Sequence, residues 1–163
     1  MNDFDVEFEF EPLRQLTEEE IRDLRRRKNA PGGHRAVVDD SERVYLDTHP
    51  PIRDPAAVEQ LVRDLTDYPA PDSDFYQAII QTLDFAYGRR PRGPLSDEAP
   101  KSQPPTGGDL YHEEAVAARY IEGRMVRDTP LPRSRDFAVG VEHTCMWLRC
   151  ATGDPPWGEL GDS

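Results

Sequence analysis

Proline fixes φ at roughly −65° and has no amide hydrogen, so it neither continues a helix nor sits in a central strand. This chain has 16 prolines among its 163 residues, many in close pairs, together with 11 glycines. They divide it into short elements and leave much of it to loop or tail. Apolar residues make up only 36% and charged residues 32%, so a core forms only where those short elements are strongly one-sided. The length fits one domain, or one compact core with appendages.

Upstream of Pro12, Phe4, Val6, Phe8 and Phe10 alternate with Asp5, Glu7, Glu9 and Glu11. A period of two predicts a strand with one apolar and one anionic face. Thr17 followed by Glu20 predicts a capping box opening a helix over 18–28. Its glutamates stand at the N-terminal end and Arg25, Arg26, Arg27 and Lys28 at the C-terminal end, as the helix dipole favours. Pro31-Gly32-Gly33 breaks the chain. Ala36-Val37-Val38 and Val44-Tyr45-Leu46, separated by a polar run over 39–43, predict a short β-hairpin. The N-terminal strand then pairs either with this hairpin, as a three-stranded sheet, or with the sheet edge of a partner.

Asp54-Pro55 forms an N-cap and N1 pair, followed by Val58, Leu61, Val62 and Leu65 on one stripe. The next helix, 74–87, carries Phe75, Ile79, Thr82, Leu83 and Ala86 within a narrow arc. Residues 89–108 contain five prolines and predict a linker or mobile loop. A helix over 110–126 turns Leu110, Ala117, Ala118, Ile121 and Met125 inward, and one over 136–150 does the same with Phe137, Val141, Thr144, Cys145 and Leu148. Residues 153–163 form an irregular tail. Shifting the chain by 62 residues overlays Phe75 on Phe137, Ile79 on Val141, Thr82 on Thr144 and Phe85 on Trp147. This predicts two related helical hairpins packed around their threonine-containing stripes. The expected architecture is α+β and mostly α. Two helical hairpins, the first ending at 88 and the second spanning 109–152, form a small bundle, and the N-terminal strand, one helix and the β-hairpin dock on it.

Net charge is −12 and unevenly spread. Residues 1–11 carry five acids and no base; residues 12–35 carry seven bases and four acids; residues 36–88 carry eleven acids and three bases. A surface so acidic repels nucleic acid, which needs a basic footprint. No apolar run reaches the roughly 18 residues of a membrane span, and the acidic N-terminus is unlike a secretory signal. Cys145 and Cys150 lie five residues apart, pointing about 140° away from each other on a helix, which disfavours a disulfide. Reduced thiols without a secretory signal point to the cytoplasm.

Motifs for chemistry are sparse. His34, His49, His112 and His143 include no i, i+4 pair and no convergent cysteines, so neither zinc nor another metal site is expected. There is no nucleophile elbow and no phosphate-binding glycine loop. Glu114 falls on the apolar seam of its helix, between Leu110 and Ile121, with Glu113 and Glu122 off that seam and Glu142 on the next helix. A Mg²⁺-dependent nucleotide hydrolase places glutamate pairs on facing helices, but no E-x-x-E or E-x-x-D arrangement recurs on two helices here. The dipole-favoured first turn accounts for Glu114 without a ligand. Helix-end charge compensation likewise accounts for the run Arg25 to Lys28, and Arg89-Arg90-Pro91-Arg92 could act as a docking segment.

Arginine outnumbers lysine 18 to 2. That ratio, the phrase Leu83-Asp84-Phe85-Ala86-Tyr87-Gly88, and Met146-Trp147-Leu148 followed by Gly153-Asp154-Pro155-Pro156 resemble small acidic proteins of actinobacteria and their phages. The resemblance implies a cytoplasmic or virion-associated accessory role in a high-GC host and assigns no catalytic residue. The expected function is non-enzymatic, without cofactor: binding a protein of basic surface through the 36–74 acidic face and the N-terminal strand. There Phe4, Phe8 and Phe10 would be apolar anchors, with Asp5, Glu7 and Glu9 supplying charge. A phage particle structural or assembly component, and the hydrolase centred on Glu114, are the alternatives.

Overall fold

A computed structural model describes residues 13–123 and 133–158. Six α-helices follow one another: α1 (Glu18–Asn29), α2 (Asp40–Thr48), α3 (Pro55–Asp67), α4 (Asp74–Ala86), α5 (Gly107–Ile121) and α6 (Arg135–Leu148), with a 3₁₀ turn at Gly33–Arg35 after α1. Among the described residues there is no strand, so the α+β expectation gives way to an all-helical fold. The strand read over 4–11 lies outside the described residues. The β-hairpin at 36–46 is replaced by α2. Asp39 accepts a hydrogen bond from the amide of Glu42, and the Glu42 carboxylate accepts one from the amide of Asp39. This reciprocal cap converts the polar run from a turn into a helix start, and Val44, Tyr45 and Leu46 become its second turn.

Each helix opens on a side-chain cap: Thr17, Asp39, Asp54, Ser73, Thr106 and Ser134. Capping matters here because isolated helices of 9–15 residues are marginal in water and need both ends satisfied. The closest helix packing is around α6, which lies against α4 on one side and α5 on the other. Ile79, Leu83, Phe85, Leu110, Phe137, Val141, Trp147 and Leu148 fill the space between them, with Leu61 and Leu65 of α3. The two threonines matched by the 62-residue shift are both fully buried. Each turns its hydroxyl back onto its own helix, Thr82 to the Ala78 carbonyl and Thr144 to the Gly140 carbonyl, at 2.7 Å. A second, smaller cluster of Leu24, Ile52 and Cys150 holds α1 and the start of the α2–α3 region onto the end of α6.

The proline-rich segment between α4 and α5 packs onto α5. Leu95 is fully buried, Pro94 and Pro105 nearly so. No helix among the described residues is long and apolar enough to cross a membrane.

Candidate functional site

The surface from Asp54 to Asp74 holds six acidic residues and one basic one, Arg63. The apolar stripe of α3 turns Leu61 and Leu65 into the core, leaving Glu59, Val62, Arg63 and Asp67 exposed on the other side. Some acids are used internally. Asp54 caps α3, Asp64 accepts from the Gln60 amide at 2.9 Å, and Asp74 accepts from the Ser134 hydroxyl at 2.5 Å. Glu59, Asp67 and Asp72 form no ion pair or side-chain hydrogen bond among the described residues, and Arg63 donates to the Gln60 side chain at 2.9 Å without pairing with any of them. Val62 is 45% exposed on α3 and Tyr68, just after its end, 53% exposed. At Tyr68 lies an open hollow of about 460 Å³ edged by Asp64, Asp67, Tyr68, Pro155 and Trp157. Trp157 is fixed there by its indole N–H, which donates to the Tyr68 carbonyl at 3.0 Å, and by ring contacts with Phe75 and Tyr76. The result is an aromatic hollow rimmed by carboxylates.

The carboxylates of α5 and α6 have other tasks. Glu113, expected off the apolar seam, is 1% exposed. It accepts from the amides of Leu95 and Ser96 at 2.6 and 2.8 Å and from the Ser96 hydroxyl at 2.5 Å. These three bonds offset the cost of burying the charge and tie the proline-rich segment to α5. Glu114 is gripped by Arg149, whose Nε and Nη2 lie 2.8–3.1 Å from its oxygens. That guanidinium stacks over Tyr111, 5.0 Å from the ring centre. Burial, with Glu114 and Glu122 as like-charged neighbours, pushes the Glu142 carboxyl up from its ordinary range. Among the described residues no group of three or more His, Cys, Asp or Glu is arranged to hold a metal ion.

Cys145 and Cys150 are both free and buried. Burial raises the Cys145 thiol far above its usual value, and the negative charge of Glu113 and Glu114 adds to this. Arg89 and Arg92 are engaged locally by Asp84 and Asp97. In the basic run, Arg26 and Arg27 pair with Asp23, and Arg27 also reaches Glu42. Lys28 differs: it is 8% exposed, hydrogen-bonds only the His34 carbonyl, at 3.4 Å, and forms no ion pair among the described residues. Burial holds its ammonium below its ordinary pKa, as do the neighbouring Arg149, Arg53 and Arg27. The dipole at the C-terminus of α1 favours a cation by about 0.3–1 kcal/mol, less than the several kcal/mol that burying an unpaired charge costs. Helix-end compensation therefore accounts for the exposed arginines and not for Lys28.

The partner-binding set Phe4, Asp5, Glu7, Phe8, Glu9 and Phe10 lies outside the described residues. Of the 36–74 acidic surface, the structure brings together the part on and after α3. Glu113 was legible as a buried position: with Leu110 and Ala117 it keeps the i, i+3, i+7 spacing of one helix face. Lys28 and Arg53 had no such signal, because their burial depends on the far end of the chain. No family model, curated protein or solved structure matches the chain.

Proposed function

We propose that this is a non-enzymatic accessory protein that binds a protein partner of basic surface through the face formed by α3 and the segment up to Asp74. The observation that carries the reading is the aromatic hollow at Tyr68 and Trp157, rimmed by Asp64 and by Asp67; Asp67, and Glu59 and Asp72 elsewhere on this segment, form no ion pair or side-chain hydrogen bond among the described residues. A lysine or arginine of the partner entering the hollow gains both ion pairing and cation–π attraction. Exposed Val62 and Tyr68 supply the apolar contact that charge alone lacks, since rim charges govern association rate more than affinity. The five acids of residues 1–11, interleaved with Phe4, Phe8 and Phe10, carry charge of the same sign as the α3 face and would engage the same basic partner. Two buried unpaired thiols support a cytoplasmic setting, and the resemblance to small actinobacterial and phage proteins supports an accessory role.

Affinity capture with mass spectrometry tests this, using the native chain, a Glu59→Lys/Asp67→Lys variant and a chain lacking residues 1–11. Both substitutions are on exposed positions and leave the fold intact. The charge-reversed variant is expected to lose the captured proteins at least tenfold, and deletion of 1–11 to weaken their retention at raised salt. Capture of the same proteins in equal yield by all three chains would overturn the proposal.

A further inference from the structure

Where the C-termini of α1 and α6 meet the N-terminus of α5 and one side of α2, the fold leaves a half-open cleft of about 660 Å³. It shares no lining residue with the α3 face. Its polar side chains are Lys28, His34, Arg43, Arg149 and a single acid, Asp47. In a chain of net charge −12, such a concentration of cations around one cavity is a local reversal of sign, and low-dielectric walls focus its field.

Three of these groups have unused capacity. Lys28 is more than nine-tenths buried and forms no ion pair among the described residues, its ammonium donating only to the His34 carbonyl. The Nδ1 atom of His34 is buried without a hydrogen-bond partner. Arg149 spends Nε and Nη2 on Glu114, leaving Nη1 unengaged among the described residues. Arg43 stands exposed on the rim and forms no ion pair there. Lys28 and Arg43 bring two positive charges with no ion-pair partner among the described residues to one cavity, with Nη1 of Arg149 beside them, a concentration that a bound anion would neutralise. The remaining walls are apolar: Val38, Leu46, Pro51 and Ile52, with the Tyr111 ring.

We propose that this cleft binds a small organic anion, its carboxylate or phosphate group held by Lys28, His34 and Arg149 and its apolar body against Val38, Leu46 and Ile52. Arg43 on the rim would steer the anion inward. The chain must be held so that these groups converge. Arg149, at the C-cap of α6, is held toward α5 by Glu114, and Cys150, in the left-handed position that follows (φ 60°), packs its thiol against α1.

The test uses the full-length protein in thermal-shift and calorimetric titrations with sodium benzoate and with adenosine monophosphate, against adenosine and sodium chloride at matched ionic strength. At least one of the two anions is expected to raise the melting temperature and to bind with measurable heat, and adenosine and chloride to do neither. Benzoate alone would assign a carboxylate, the nucleotide alone a phosphate. Lys28→Met keeps the side-chain length and removes the charge. It is expected to melt at a higher temperature than the native chain and to lose anion binding at least tenfold. Arg43→Glu, on an exposed position that cannot compromise folding, is expected to weaken binding at least fivefold and serves if Lys28→Met fails to fold. No response to either anion at millimolar concentration would overturn the proposal, as would binding that both variants retain unchanged.

Discussion

At the scale of single residues Glu113 matters most, because one buried carboxylate anchors the turn at Leu95 and Ser96 in the irregular chain between α4 and α5. Its oxygens accept from two amides and one hydroxyl of the 93–96 turn, which closes on itself through the Gly93 and Glu98 main chains. Glu113→Ala leaves those donors buried and unmet, and chemical denaturation is expected to show a loss of about 3–5 kcal/mol. The approach of Gly93 is as tight as the bonds: a Cβ there would sit 2.2 Å from Oε2 of Glu113 and 2.5 Å from the Ser96 hydroxyl. Gly93→Ala should therefore destabilise in the same direction, by about 1–3 kcal/mol. Glu142 behaves in the opposite sense. Its carboxyl is raised by burial and by Glu114 and Glu122, so the folded chain holds a proton that the unfolded chain releases. Stability contributed by the neutral form is thus lost as pH rises through that window. Glu142→Gln is expected to melt higher than the native chain at pH 7 and to show no such gain below about pH 4, where glutamate is protonated in both states.

At the scale of elements, α6 is the piece on which the bundle is assembled, and its middle and its end show how. Gly140 meets α4 so closely that a Cβ would lie 2.7 Å from that of Ala78 and 2.8 Å from the Phe75 carbonyl. Glycine to alanine in a helix ordinarily gains about 1 kcal/mol, but overpacking a rigid crossing costs about 1–3 kcal/mol. Gly140→Ala is expected to lower stability by about 1–2 kcal/mol, read by denaturant titration. At the C-terminus, the amides of Cys150 and Ala151 return to the carbonyls of Trp147 and Met146, closing a Schellman motif with cysteine where glycine is usual. Arg53 completes it. Its Nε donates to the Trp147 carbonyl at 2.8 Å, its Nη2 to that of Thr152 at 2.6 Å, and its guanidinium lies over the Trp147 ring. What sequence shows of these elements follows the range of the forces involved. Capping and amphipathic stripes are local, so α1, α3, α4, α5 and α6 are legible within a few residues, as is the burial of Thr82 and Thr144. The start of α2 was equally local, but Asp39 and Glu42 carry both turn and cap chemistry, and two apolar triplets flanking a polar run favoured the turn. The segment over 89–106 was unreadable for another reason: its order comes from a glutamate fifteen or more residues downstream, and composition reports only its prolines.

For the whole molecule, the organising fact is the separation of charge. Basic side chains at the C-terminal ends of α1 and α6 and on one side of α2 gather around one cleft, and the chain from Asp54 to Asp74 presents acids that nothing within the described residues neutralises. Such separation costs stability through repulsion within the acidic face, and complementary partners relieve it. The sequence showed the imbalance by segment; which acids stay uncommitted depended on the cap at Asp54 and the bonds to Asp64 and Asp74. Hydrogen exchange of the chain, free and bound to a protein it captures, tests the central claim most directly. The account predicts that binding slows exchange in residues 59–72 and at Trp157, and that 0.5 M salt abolishes the added protection. Protection confined to α5 and α6, with residues 59–72 exchanging as in the free chain, would contradict it.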